Sequence, residues 1–201
     1  MSKLRLSAVL IAALLLLSAC PAPVCNYNYK REPDPRKPGA EYQIGIGDSL
    51  RINVWKNQDL STPAIVRPDG TITMALIGDI KAAGRHPSQL KAEISMRLKK
   101  FLATVPPVTI AVDQVRSYRF TVSGQVARGG QFSPNKYVTV SEAIALAQGM
   151  TRFADADNTV LIRVRANGKI TRIPICWKQI ELGKRPDMDI VMLAGDRLHV
   201  P

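Results

Sequence analysis

Histidine and cysteine are scarce in this chain: two His and three Cys in 201 residues. That excludes a disulfide-dense scaffold, a zinc-finger array and an enzyme built on several His/Cys metal sites. Aromatic residues make up only 5% of the sequence, too few for a stacking platform along a single-stranded nucleic acid. Acidic residues are also in the minority, 16 against 28 basic, for a net charge of +12. Gly45-Ile46-Gly47 follows apolar residues, but no third glycine or following helix completes a dinucleotide fingerprint. Neither a Gly-x-Ser-x-Gly elbow, a His-Glu-x-x-His pair nor a phosphate-binding loop occurs.

The chain does have a patterned start. Lys3 and Arg5 precede an apolar run from Leu6 to Leu17, broken only by Ser7. This run is shorter than the roughly 17–25 residues of a membrane span and has the flanks of a secretory signal. Leu17-Ser18-Ala19-Cys20 then matches the bacterial lipobox, which implies cleavage after residue 19 and a lipid on Cys20. Two or more acyl chains anchor a protein stably, at about 0.8 kcal/mol per buried methylene. Pro21 stands where an inner-membrane retention signal has Asp, so the outer membrane is the expected destination. In that oxidising compartment a Cys25–Cys176 disulfide is permitted; the alternative is two separate thiols, one in the tether and one buried.

Without Lys3 and Arg5 the mature part keeps 26 basic residues against 16 acidic ones. An exported, anchored protein meets little nucleic acid, so we expect no nucleic-acid partner. Residues 20–40 carry Pro21, Pro23, Pro33, Pro35 and Pro38 with almost no aliphatics, and read as a spacer. From there the chain reads as strand-rich α+β. Leu50, Ile52 and Val54 alternate with polar neighbours as in a half-buried strand. Pro68-Asp69-Gly70 reads as the turn of a hairpin joining residues 65–67 to 71–77, with Gly70 at positive φ. Pro87 opens a helix whose Leu90, Ile94, Leu98 and Leu102 share one stripe, with His86 at its cap. Thr139-Val140-Ser141-Glu142 is a capping box for a second helix reaching about residue 148, stopped by Gly149. Asn167-Gly168 between two apolar runs predicts a hairpin, 160–164 with 170–175.

One internal echo stands out. Ile46-Gly47-Asp48-Ser49-Leu50-Arg51-Ile52 resembles Ala194-Gly195-Asp196-Arg197-Leu198-His199-Val200. Asp48 and Asp196 could be imagined as the carboxylate pair of a glycosidase. Each follows a glycine ahead of a strand, however, where an aspartate serves to accept backbone N–H bonds. The turn reading wins, and no catalytic residue, cofactor or metal site is assigned. His86 and His199 read as cap or surface residues.

The series Tyr42-x-Ile44-Gly45-x-Gly47-Asp48-x-Leu50-x-Ile52-x-Val54-Trp55, Val66-Arg67-Pro68-Asp69-Gly70-x-Ile72, Leu76-Ile77-Gly78-Asp79-Ile80 and Pro106-x-Val108 resembles the polysaccharide export domain of Wza-like outer-membrane lipoproteins. Val122-x-Gly124-x-Val126, Glu142-Ala143-Ile144-Ala145-x-Ala147-x-Gly149 and Gly195-Asp196-x-Leu198 are similar to an SLBB β-grasp domain. The chain departs from the family where Gly-Pro-Gly-Asp becomes Gly45-Ile46-Gly47-Asp48, where His86 replaces a capping Thr, and where Gly149-Met150 replaces Gly-Gly. The resemblance implies an organisation of signal peptide 1–19, anchor and spacer 20–40, export domain 41–114 and SLBB domain 115–201. It assigns Gly47, Asp48, Pro68, Asp69, Gly70, Gly195 and Asp196 to architecture and Cys20 to anchoring. It further implies a non-enzymatic homo-oligomeric collar for a secreted polysaccharide, partnered by an inner-membrane chain-length regulator or co-polymerase. Five residues follow Asp196, so this reading expects the short form of the family, without a terminal pore helix and beneath a separate outer-membrane β-barrel. A monomeric glycan-binding lipoprotein is the rival reading.

Overall fold

A computed structural model of the protein describes residues 25–201. The expected signal peptide, Cys20, Pro21 and Pro23 lie outside the described residues. Two separate cores divide the rest. The first gathers apolar side chains between Ile44 and Val108. The second runs from Tyr118 to Val200 and also takes in Tyr29, from the far end of the chain.

The first domain holds β1 (Ser49–Val54), β2 (Thr62–Ile65), β3 (Thr71–Met74), β4 (Gly78–Lys81), α1 (Pro87–Leu98) and β5 (Val108–Gln114). β1 is the centre of an antiparallel sheet, β2-β1-β5. Its alternation buries Leu50, Ile52 and Val54 on the face that also receives Leu90, Ile94 and Leu98 of α1. The helix stops at Leu98, a turn before the predicted end, and Leu102 packs half-buried beyond it.

The hairpin at Pro68-Asp69-Gly70 differs from expectation. The turn forms, with Gly70 at φ +78° and the Gly70 N–H donating to Arg67 O at 2.8 Å. It is closed by one further bond, from Arg67 N–H to Thr71 O. Beyond that the strands part: β2 pairs with β1, while β3 pairs with β4. The apolar run 74–77, expected as strand, turns at Leu76, which adopts φ +70°. Asp69 supports the first turn by accepting the Thr71 N–H at 2.9 Å and the Arg67 guanidinium at 2.7 Å. The Arg67 and Thr71 hydrogen bonds hold its carboxyl well below the usual carboxylate range.

The second domain contains β6 (Phe120–Gly124), β7 (Gly130–Phe132), α2 (Val140–Leu146), β8 (Thr159–Val164), β9 (Ile170–Ile175), α3 (Trp177–Glu181) and β10 (Arg197–Val200). They form a mixed five-stranded sheet, β7-β6-β10-β8-β9, in which β10 runs parallel to β6 and antiparallel to β8. α2 closes one face by burying Val140, Ala143 and Ile144. Its capping box is complete: Glu142 accepts from the Thr139 N–H at 2.9 Å and donates its own N–H to Thr139 Oγ1 at 3.3 Å. The helix ends at Leu146, two residues earlier than predicted. β8 and β9 pair in register from Thr159↔Ile175 to Val164↔Ile170 around Asn167-Gly168. Residues 190–194 are irregular apart from an isolated Thr139↔Val191 bridge.

The spacer needs the largest correction. Residues 25–32 lie on the second domain. Cys25 is disulfide-bonded to Cys176, with Cα atoms 6.1 Å apart. A short 3₁₀ turn, Tyr29–Arg31, buries Tyr29 in the second core, and burial pushes its phenol up to about 12. The chain therefore touches its second domain before building its first. Proline and charge make this stretch look like a linker, but Tyr27, Tyr29 and Glu32 give it apolar and ionic handles. Among the described residues no helix is long and apolar enough to cross a membrane.

Candidate functional site at the domain joint

The two echoed Gly-Asp corners have the same local geometry. Asp48 donates its N–H to Gly45 O and accepts the Gly45 N–H on Oδ2 at 2.8 Å. Asp196 does the same with Leu193, the N–H arriving at Oδ2 at 2.7 Å. The preceding glycines stand at φ +92° and +83°, where a Cβ would be strained. Each aspartate thus caps its own turn before its strand begins, β1 after Asp48 and β10 after Asp196.

Both corners grip the segment that joins the domains. Asp48 Oδ1 accepts the N–H groups of Arg116 and Ser117 at 2.9 and 2.8 Å. Its Oδ2 also accepts the Tyr42 hydroxyl at 2.5 Å and the Ser117 hydroxyl at 3.1 Å. Five neutral donors therefore satisfy a carboxylate with no exposed surface. Burial, followed by the hydrogen bond to Asp48, pushes the Tyr42 phenol well up. From the other side, Gly195 donates to Arg119 O at 2.7 Å and Thr121 donates to Asp196 O at 2.9 Å. Gly45 shows how tight the joint is: a Cβ there would fall 2.2 Å from Ser117 Cβ. Only a glycine lets the corner approach the linker this closely.

Asp196 finds a different partner. Arg163, 2% exposed at a core-facing position of β8, reaches it with Nε at 2.9 Å and Nη2 at 2.5 Å. The same guanidinium donates to Val191 O at 2.7 Å and, through Nη1, to Glu32 at 2.6 Å. Arg165 also binds Glu32, at 2.6 and 2.9 Å, and the Tyr27 hydroxyl donates to it. Burial alone would raise the Glu32 carboxyl; the hydrogen bonds from Arg165 and Tyr27, with both guanidinium charges, hold it below its ordinary value. This cluster ties the strap of residues 25–32 to the second Gly-Asp corner. Arg163 was not singled out from sequence. Its signal was there: a lone arginine in phase with the buried positions of Thr159 and Leu161.

His86 donates its backbone N–H to Gln89 Oε1 at 3.0 Å, while its ring Nδ1 lies 3.0 Å from Tyr42 O. A carbonyl can only accept, so Nδ1 carries a proton there. The ring thus binds the strand side of the joint instead of the helix. His199 Nδ1 contacts Ser123 Oγ at 3.2 Å. Beside the joint, a cleft of about 450 Å³ is lined by Tyr42, His86, Ser117, Tyr118 and Tyr137 among others. No group of residues is placed to hold a metal among the described residues. Asp48 and Asp196 are sealed from solvent and bonded to protein groups through both carboxylate oxygens.

The arrangement defines a two-domain protein in which buried carboxylates tie the domain joint and the N-terminal strap. A family model described as polysaccharide biosynthesis/export protein matches residues 36–113, and an SLBB domain model matches residues 119–174. The chain thus carries, in order, a polysaccharide biosynthesis/export domain and an SLBB domain, the combination that supports the resemblance to Wza-like polysaccharide export proteins. It is 31% identical to the EPS I polysaccharide export outer membrane protein EpsA of Ralstonia solanacearum, over 64% of this chain and 40% of that one. It is 24% identical to the exopolysaccharide production protein ExoF of Rhizobium meliloti (strain 1021), over 64% of this chain and 33% of the relative. The polysialic acid transport protein KpsD of Escherichia coli is 26% identical over 46% of this chain and 16% of its own length. The chain thus spans two fifths or less of these relatives.

Proposed function

We propose that this protein is a periplasmic, outer-membrane-anchored component of an exopolysaccharide or capsule export machinery. In this reading Cys20 carries the lipid, and copies of the chain assemble into a collar around the secreted polysaccharide. An inner-membrane chain-length regulator lies on one side and an outer-membrane β-barrel on the other. The observation that carries the reading is the joint itself. An export domain and an SLBB domain follow one another in order, and Asp48 holds the linker between them with three hydrogen bonds, from the Arg116 and Ser117 N–H groups and the Ser117 hydroxyl. A ring of repeated subunits needs such a held joint, because an error in one copy is repeated in every other. The lipobox supports the anchor.

Two measurements test it. Deleting the gene should abolish secreted polymer while its synthesis continues, and purified acylated protein in detergent should show a multiple of the subunit mass by light scattering. A stable monomer that binds glycan, in a strain still exporting polymer, would instead establish the glycan-binding lipoprotein. Replacing Cys20 by Ser should block acyl labelling and outer-membrane fractionation. Pull-down from native membranes should recover a barrel protein, and the pure protein should give no conductance steps in planar bilayers.

A further inference from the structure

Four residues, Pro21 to Val24, stand between Cys20 and Cys25. An extended chain covers at most about 3.6 Å per residue, so the two cysteines are within about 18 Å of each other. Cys25 is fixed to Cys176, the residue that precedes α3. The anchor of the proposed function therefore has almost no play. Whatever surface holds the lipid of Cys20 must lie close to α3, and the first domain hangs beyond the joint.

The face around the disulfide has matching chemistry. Lys30, Arg31 and Lys184 are exposed and have no ion pair among the described residues. Lys178 and Arg185 add two more cations, paired with Asp157 and Asp187 at 3.2 and 2.9 Å. Glu181 is the remaining acid on α3. Leu182, at its end, is 62% exposed, and Trp177 at its start is half-buried. The Arg185 guanidinium lies 5.9 Å from the Tyr29 ring centroid, which sets the strap beside the short 3₁₀ turn Pro186–Met188 that follows α3.

We propose that this α3 and strap face rests on the phospholipid surface that receives the Cys20 lipid, with Lys30, Arg31 and Lys184 on anionic headgroups and Leu182 at the interface. The inference rests on the lipid anchor of the proposed function and adds orientation to it: the second domain faces the bilayer and the first faces away. A short tether concentrates the basic face at the surface, where each nearby cation gains from the anionic potential.

The chain holds one tryptophan in each domain, Trp55 and Trp177, which makes the orientation measurable. Full-length acylated protein is reconstituted into phosphatidylcholine/phosphatidylglycerol vesicles containing lipids brominated near the headgroup, as the W55F and W177F variants. The Trp177 emission retained in W55F should be quenched at least threefold more than the Trp55 emission retained in W177F, although Trp55 is the more exposed in solution. Equal quenching, or stronger quenching of Trp55, overturns the orientation. Hydrogen exchange on the unsubstituted protein reads the same point without a core change: vesicles should protect residues 177–185 and leave 51–57 unchanged. Quenching should fall at least twofold in pure phosphatidylcholine and in the variant Lys30→Gln, Arg31→Gln, Lys184→Gln. Identical quenching in all three overturns the headgroup contact. Flotation separates the two levels. Protein that stays at the bottom of the gradient overturns the anchor and this inference together, whereas floating protein with unprotected α3 overturns this inference alone.

Discussion

The Gly47-Asp48 and Gly195-Asp196 corners solve one local problem in the same way and one global problem in opposite ways. Each turns the chain into a strand, and each aspartate caps the amide three residues behind it. Each is then left with a buried anionic carboxylate. Asp48 is neutralised by dipoles, three backbone N–H groups and two hydroxyls, and Asp196 by a full cation that also serves Glu32. Dipoles on a rigid linker cost little to desolvate and fix direction, which suits a joint. A buried guanidinium is costly to desolvate, and losing one partner leaves charge stranded. That suits a clasp that must hold a separate segment of chain.

The comparison predicts unequal damage. Arg163→Met strands Asp196 and leaves Glu32 with Arg165 as its one cation, and should cost about 3–5 kcal/mol of second-domain stability by denaturant titration. A loss below about 1 kcal/mol would mean that the clasp carries no net charge burden. Asp48→Asn removes no counter-charge but sets an NH2 among N–H donors; we expect about 2–4 kcal/mol, with new protease cleavage near residues 114–118. Should Asp48→Asn prove the more costly of the two, the contrast between joint and clasp is drawn the wrong way round.

Smaller changes sharpen the same contrast. Gly45→Ala drives a methyl into Ser117 and should cost about 1–3 kcal/mol, much of it restored by Ser117→Gly in the double variant. No such partner exists for Gly195, where a Cβ meets nothing within 4 Å and only the backbone conformation objects. The mildest test is pH. The Glu32 carboxyl is held below its ordinary 4.5, so its stabilisation is fully present above that pH and is lost as the pH falls through the lowered value. The Tm difference between wild type and Glu32→Gln should therefore be constant from pH 7 to 5 and shrink at lower pH. A difference that grows on acidification would contradict the assigned direction.

What could be read in the sequence was what the chain decides over a few residues. The Gly-Asp echo, the Thr139–Glu142 box, the Pro87 start and the Asn167-Gly168 hairpin are each written in four to seven neighbours. Partners were illegible. Asp48 closes on residues 68 and 69 positions away, and Arg163 reaches Glu32 across 131. No periodicity reports such separations. The Leu76 turn was missed for a different reason: nothing in Met74-Ala75-Leu76-Ile77 suggests a left-handed residue, and strand pairing imposes it. The strap was hidden by its own composition, since prolines and charges suit a free linker as well as a docked one.

The docking of residues 25–32 also orders events in time. The second core needs both Tyr29 and Val200, and the disulfide spans 151 positions. The first core draws on residues between Tyr42 and Val112. As the chain emerges from its N-terminus the first domain can finish folding while the second still awaits β10. Cys25 meanwhile waits through most of the chain's passage for a partner, and Arg163 emerges long before the Asp196 that it binds. The domain that binds the earliest described residues is thus the last to be completed.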